Sequence, residues 1–258
     1  MCDEWFSRIE LPISWEEFHR LPRNPAYKFE YFGGRAVLTP RPKYQWVMLE
    51  LRPTETPDVV DAWEKVAIRR LKARDWNELA KVFSGAFLRV EPFANLDDDA
   101  RLKAARKCLK RARSGGHGPL VEQASFVACS EDQPRLWGAI LITLLPDVDL
   151  TSGKRVEWPE APPADCVKRR LGRPAVTWIF VSPLQAGHGV GTALLGAATG
   201  ELLGLGYREL ASGFLVGNES SMLWHWRNGF RLLADPCSWR LLRQKRDEES
   251  RERDCVRA

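Results

Sequence analysis

The stretch Val181-Ser182-Pro183-Leu184-Gln185-Ala186-Gly187-His188-Gly189-Val190-Gly191-Thr192 reads as the end of a strand, a glycine-rich turn and the start of a helix. Upstream, residues 175–181 (Ala-Val-Thr-Trp-Ile-Phe-Val) form a nearly continuous apolar run, the pattern of a strand covered on both faces, and Pro183 stops it. Downstream, Leu194, Leu195, Ala198, Leu202 and Leu205 fall on one helical face over residues 192–205, and Gly206 ends the helix. A further strand over 209–216 completes a β-turn-α-β unit. A turn of this kind exposes unpaired backbone N–H groups where the helix dipole adds partial positive charge, so it suits phosphate oxygens. Gly187, Gly189 and Gly191 let the main chain approach a diphosphate without Cβ atoms in the way.

Two common phosphate-binding patterns do not fit. A dinucleotide fingerprint needs Gly-x-Gly-x-x-Gly and an acidic residue after the next strand, but here the turn is Gly-x-Gly-x-Gly and Gly217-Asn218 follows that strand. The lysine of a nucleotide-hydrolysing phosphate loop is also missing from Val190-Gly191-Thr192. A second motif lies beyond: Asn218-Glu219-Ser220-Ser221-Met222-Leu223-Trp224-His225-Trp226-Arg227-Asn228-Gly229-Phe230, a helix between an Asn and a Gly-Phe pair.

With both motifs in place, the chain resembles the GCN5-related N-acetyltransferase (GNAT) family from about Val66 to Leu233, most strongly from Thr177 to Phe230. Val181, Pro183, Gly189 and Gly191 match the family's acetyl-CoA loop, whereas Ala186 stands where the family has Arg or Gln, with Gln185 one place earlier. The resemblance implies an α+β fold with a mixed, mostly antiparallel central sheet flanked by helices. It implies acetyl-CoA as co-substrate, no metal, and transfer of an acetyl or similar acyl group to a primary amine by direct attack in a ternary complex. It also implies cofactor contacts from Ala186, Gly187, His188, Gly189, Val190, Gly191, Thr192 and Asn218, and from the main chain of Ile179, Phe180 and Val181. His225 occupies the place of the family's Tyr acid. Imidazole titrates near neutrality and suits proton transfer; a histidine packed between Trp224 and Trp226 is the equal alternative. Residues 175–181 hold no carboxylate, so the general base stays unassigned. His188 reads as a solvent-facing stand-in for a basic residue, and His19 and His117 read as structural or surface residues.

Residues 1–65 lie outside the resemblance and read as an N-terminal β-rich extension of unknown role, with a hairpin at Lys28–Tyr31 and Arg35–Leu38 across Gly33-Gly34. The proline-rich connector 53–57 suggests a boundary near residue 65, giving an acyltransferase domain over 66–240 and a charged tail over 241–258. Within that domain the pattern predicts a short strand at 67–71, a helix capped by Asp75, and a basic helix after Asp97. Two antiparallel strands at 124–129 and 136–145 follow, then a long loop over 146–174 with a short helix near 166–171. The loops 88–120 and 146–174 are expected to select the acceptor, a small-molecule or peptide amine.

Composition excludes several classes. Apolar residues at 44% and charged residues at 28% are ordinary for a globular chain. The six cysteines form no Cys-x-x-Cys pair, which argues against a zinc site or disulfide framework and for a reducing, cytoplasmic setting. No run is long enough to cross a bilayer. The net charge of +5 favours an anionic ligand; nucleic acid ranks last because the tail also carries Asp247, Glu248, Glu249, Glu252 and Asp254. A homodimer is compatible with this reading, and the main alternative to an enzyme is a catalytically silent CoA-binding or regulatory module.

Overall fold

A nearly all-apolar strand needs partners on both edges and cover on both faces, and the chain supplies them from both ends of the sequence. The computed structural model describes residues 8–22, 27–40, 44–53, 66–131, 135–152 and 156–233. The elements are β1 (Ile9–Leu11), α1 (Trp15–Arg20), β2 (Tyr27–Phe32), β3 (Arg35–Pro40), β4 (Tyr44–Glu50), β5 (Val66–Arg70), α2 (Trp76–Ala86), α3 (Asp98–Arg113), β6 (Phe126–Ser130), β7 (Leu136–Leu145), β8 (Arg173–Val181), α4 (Val190–Gly204), β9 (Glu209–Leu215), α5 (Glu219–Arg227) and β10 (Arg231–Leu232). Seven strands form one sheet in the order β10-β4-β9-β8-β7-β6-β5, and β1-β3-β2 form a small second sheet. All pairings in the large sheet are antiparallel except β8 with β9. The fold is therefore α+β, with a mixed, mostly antiparallel sheet flanked by helices.

The parallel pair is the irregular place in the sheet. β8 and β9 pair only through Ala175↔Ala211 and Val176↔Ser212, after which they part. On its other edge β8 stays paired with β7 to Val181, but the register jumps from Leu141↔Trp178 to Ile142↔Val176, leaving Thr177 as an extra residue. A bulge bends and twists its strand. Thr177 thus sits where β8 turns away from β9, and its hydroxyl is held 2.6 Å from that of Thr143.

Alternation along β8 divides the core in two. Ile179 and Val181 pack with Val190, Leu194, Ala198 and Leu202 of α4, while Trp178 and Phe180 pack with Leu79 and Phe83 of α2 and Ala105 and Leu109 of α3. α3 begins with Asp97 accepting from the Ala100 amide at 2.7 Å, as its acidic cap leads one to expect. One of its basic residues faces inward: Arg101 is buried, and it donates to the carbonyls of Ser84 and Leu96 and to Asp98.

Several sequence expectations are corrected. Asp75 makes no capping bond to α2; its carboxylate receives both guanidinium nitrogens of Arg69 at 2.7 and 2.8 Å and the Lys72 amide at 2.8 Å, tying β5 to the start of α2. Residues 164–170 form turns, and the short helix expected near 166–171 is not present. The Gly33-Gly34 hairpin is present, with both glycines at positive φ. However, Tyr44–Glu50, inside the stretch read as an extension, is a strand of the large sheet, paired residue for residue with β9 from Tyr44↔Leu215 to Glu50↔Glu209. The boundary near residue 65 and the tail 241–258 lie outside the described residues.

Candidate functional site

The turn after β8 is built to leave backbone donors open. Pro183–Gln185 make a single 3-10 turn, and α4 then begins at Val190 with no side-chain cap on Gly189. The first bond of α4 runs from the Ala193 amide to the Gly189 carbonyl at 2.9 Å. Among the described residues, the amides of Gly187, Gly189, Val190, Gly191 and Thr192 donate to no protein group. Such donors at a helix start attract anionic oxygen.

The three glycines have different reasons. Gly187 and Gly189 hold φ of 85° and 78°, and a Cβ on either would meet nothing within 4 Å, so conformation and not crowding requires them. Gly191 has ordinary φ, but its Cβ would lie 3.0 Å from Nε1 of Trp224. That indole nitrogen is buried and has no hydrogen-bond partner.

A cavity of about 840 Å³ opens at this turn and continues through the gap between β8 and β9. Its α4 side is lined by Gln185, Ala186, Gly187, Gly189, Val190, Gly191 and Thr192, with Asn218, Ser221 and Trp224 opposite. Ile179, Phe180 and Val181 border the gap on the edge of β8 that has lost its ladder with β9. Its α2–α3 side is lined by Phe87, Glu91, Phe93, Arg111, His117 and Trp178. Tyr44 and Trp46 from β4 also line it. His188 is not among the lining residues.

The second motif is held by its own bonds. Asn218 caps α5, its side-chain oxygen accepting from the Ser221 amide at 3.1 Å. His225 is buried against Phe214, Trp224 and Phe230, at ring distances of 5.2, 4.9 and 5.0 Å, while Trp226 is exposed. Its Nδ1 lies 2.7 Å from the Ser221 carbonyl and its Nε2 2.7 Å from the Ser212 hydroxyl. A carbonyl can only accept, so Nδ1 carries the proton and, in the neutral ring, Nε2 accepts from Ser212. Burial holds the imidazole below its usual pKa, opposed by the bond to Ser221. In this arrangement neutral His225 has no proton free to give, and direct proton donation would require the imidazolium that burial disfavours.

The α2–α3 side of the cavity draws on the loop 88–120, from which the sequence reading singles out neither Glu91 nor His117 as a site residue. Glu91 Oε1 accepts from Asn95 at 2.9 Å, whereas Oε2 is buried with no partner. Burial raises the Glu91 pKa above the ordinary carboxylate value, only partly offset by Asn95. His117, read as structural or surface, faces Trp178 with ring centroids 6.5 Å apart; its Nε2 is buried and unpartnered. Burial, with Arg111 nearby, lowers its pKa to about 4, so the ring is neutral at neutral pH. Trp178 Nε1 is unpartnered as well. Buried polar atoms without partners are rare and costly; Glu91, His117, Trp178 and Trp224, which line this cavity, each carry one. In the sequence His117 is flanked by Gly115, Gly116, Gly118 and Pro119, whereas Glu91 has only Pro92 beside it.

No group of three or more His, Cys, Asp or Glu side chains able to hold a metal occurs among the described residues, and no helix among them is long and apolar enough to cross a membrane. No protein-family model matches the sequence, and no curated protein matches it. Solved structures do resemble the fold. A GNAT family acetyltransferase from Brucella melitensis in complex with acetyl-CoA is 19% identical with a TM-score of 0.42, covering 67% of this chain and 89% of that one. The PaiA N-acetyltransferase from Thermoplasma acidophilum in complex with coenzyme A is 14% identical with a TM-score of 0.44, covering 65% and 90%. A GCN5-related N-acetyltransferase from Sphaerobacter thermophilus is 13% identical with a TM-score of 0.47, covering 88% and 56%. At identities and TM-scores this low, any functional reading rests on the cavity itself.

Proposed function

We propose that this protein is an acyl-CoA-dependent N-acyltransferase that moves an acetyl or similar group to a primary amine. The observation that carries the reading is the set of open amides on Gly187, Gly189, Val190, Gly191 and Thr192 at the mouth of α4, beside a cavity that runs through the gap between β8 and β9. The diphosphate of CoA would lie on those amides. The pantetheine arm would enter the gap, where the unladdered edge of β8 at Ile179, Phe180 and Val181 offers main-chain groups to its amides and to the thioester carbonyl. Asn218 would act on the cofactor by holding α5 in place, its oxygen being committed to the Ser221 amide. His188 remains a candidate for phosphate contact from the turn.

In the reaction the neutral amine nitrogen attacks the thioester carbonyl, a C–N bond forms, and the C–S bond breaks. The amine gives up one proton and the departing sulfur takes one, so no external redox partner or metal is required. Ser212 and His225, hydrogen-bonded at 2.7 Å beside the gap, are the polar pair on the cofactor side. We assign His225 a positioning role there, holding Ser212 and joining β9 to α5.

One observation favours a second reading, a CoA-binding module without turnover: both ring nitrogens of His225 are occupied within the protein. The two readings part in one experiment. Purified protein is incubated with acetyl-CoA and a panel of primary amines, and free thiol release is followed beside thermal stabilisation by CoA. Stabilisation with amine-dependent thiol release supports the transferase; stabilisation without release supports the silent module; no stabilisation removes both.

A further inference from the structure

Resting on the transferase reading, we propose that the α2–α3 side of the cavity is an acceptor site for a primary amine borne on an aromatic or similarly flat apolar group, with Glu91 receiving the ammonium. Four rings form the wall. Phe87 lies 5.4 Å from Phe93 and 5.8 Å from Trp178, and Trp178 lies 6.5 Å from both Phe93 and His117. Phe93 is buried while Phe87 and Trp178 are partly exposed, so the latter two present ring surface to the cavity. Trp46 adds a face from the far side of the gap, resting over Gly213, whose Cβ would approach its ring to 3.4 Å.

Glu91 is the anionic group set into this wall. Asn95 fixes one of its oxygens, and the other is left buried without a partner. A desolvated carboxylate is poorly served by its surroundings until a cation arrives. An alkylammonium supplies both the charge and the hydrogen bond, and aromatic faces nearby add cation–π attraction. The other charged residues lining the cavity are Glu157, Arg111 and Arg227, all exposed. A polyhydroxylated amine would need many donors and acceptors, whereas this wall is dominated by rings, and its residues Glu91, His117 and Trp178 carry only three unpartnered polar atoms between them.

The proposal is tested by calorimetric titration of the full chain with 2-phenylethylamine, n-butylamine and glucosamine, each with and without saturating CoA. The expected result is that 2-phenylethylamine binds about tenfold or more tighter than the other two, the effect of burying one ring. Glu91→Gln is expected to weaken that binding about tenfold or more, the loss of a charge-assisted bond, while leaving thermal stabilisation by CoA unchanged. Phe87→Leu, which keeps the site apolar, is expected to narrow the gap between 2-phenylethylamine and n-butylamine. Equal binding of the three amines, no binding of 2-phenylethylamine, or indifference to Glu91→Gln would overturn the acceptor assignment. The transferase reading fails separately, by the absence of any CoA-induced stabilisation.

Discussion

The two halves of the cavity are made of different material. The α4 half is backbone: open amides on Gly187, Gly189, Val190, Gly191 and Thr192, two glycines at positive φ and the free edge of a bulged strand. The α2–α3 half is side chain: Glu91, His117, Trp178 and Phe87, with Tyr44 and Trp46 reaching in from β4. Backbone sites depend on conformation, which local sequence dictates through glycine, proline and helix-start signals. Side-chain sites depend on which distant segments the fold brings together.

That contrast can be tested from either side. The largest expected effect belongs to His117. Its folded pKa of about 4 lies below the ordinary 6.5, so the unfolded chain takes up the proton first as pH falls. Stability from this group is complete above about pH 6.5 and is lost progressively down to about pH 4, on the order of 3 kcal/mol. His117→Gln should flatten that acid limb in denaturant titrations at stepped pH. An unaltered limb would mean that His117 is not held neutral in the folded protein.

On the backbone half, Gly189→Val forces a β-branched residue into the left-handed region, where the crowding argument does not apply because nothing lies within 4 Å. The turn should reshape and CoA affinity should fall by about a hundredfold, read by calorimetry, with little loss of 2-phenylethylamine binding. A matching loss of both ligands would show the halves are not separable.

The Arg69–Asp75 pair joins β5 to α2, which carries Phe87 just past its C-terminus. Burial pushes the Asp75 pKa up, but the bonds from Arg69 and the Lys72 amide outweigh it and hold the carboxylate below its usual value. Asp75→Asn should therefore cost about 2 kcal/mol of folding stability at pH 7, less at pH values approaching the carboxylate range, and should loosen the acceptor half more than the cofactor half. Denaturant midpoints at pH 7 and pH 4 check the sign.

The smallest effect is opposite in direction. Glu91 has a raised pKa, so its ionised form opposes folding once the pH exceeds the ordinary carboxylate value. Glu91→Gln should leave the melting temperature of the ligand-free protein unchanged or slightly higher, while acceptor binding falls. A clear drop in melting temperature would instead make Glu91 a structural residue.

Much of this arrangement is legible in the sequence. The apolar run 175–181 with Pro183 and the spaced glycines gave the strand, turn and helix to within two residues, because each signal is local. The strand Tyr44–Glu50 was not legible: its alternation is weak, Tyr44, Gln45 and Trp46 all being half-buried, and its partner β9 lies more than a hundred and fifty residues away in the chain. The prolines at 53 and 57 suggested a domain boundary, although the chain before them reaches into the sheet between β9 and β10. His225 was placed at the right point of α5, but the Ser212 bond that occupies its ring depends on a register no spacing rule contains. Asp75 shows the same limit, since a helix-capping residue and an ion-pair partner look alike until Arg69 is seen beside it.

The most direct test of the central claim is a CoA titration of protein labelled selectively at glycine, followed by amide resonances. If the open amides hold the diphosphate, the Gly187, Gly189 and Gly191 signals should move together and saturate with CoA, while those of Gly33, Gly34 and Gly115 stay still. Binding of CoA that leaves the three turn glycines unmoved would contradict the account, because the ligand would then be held elsewhere.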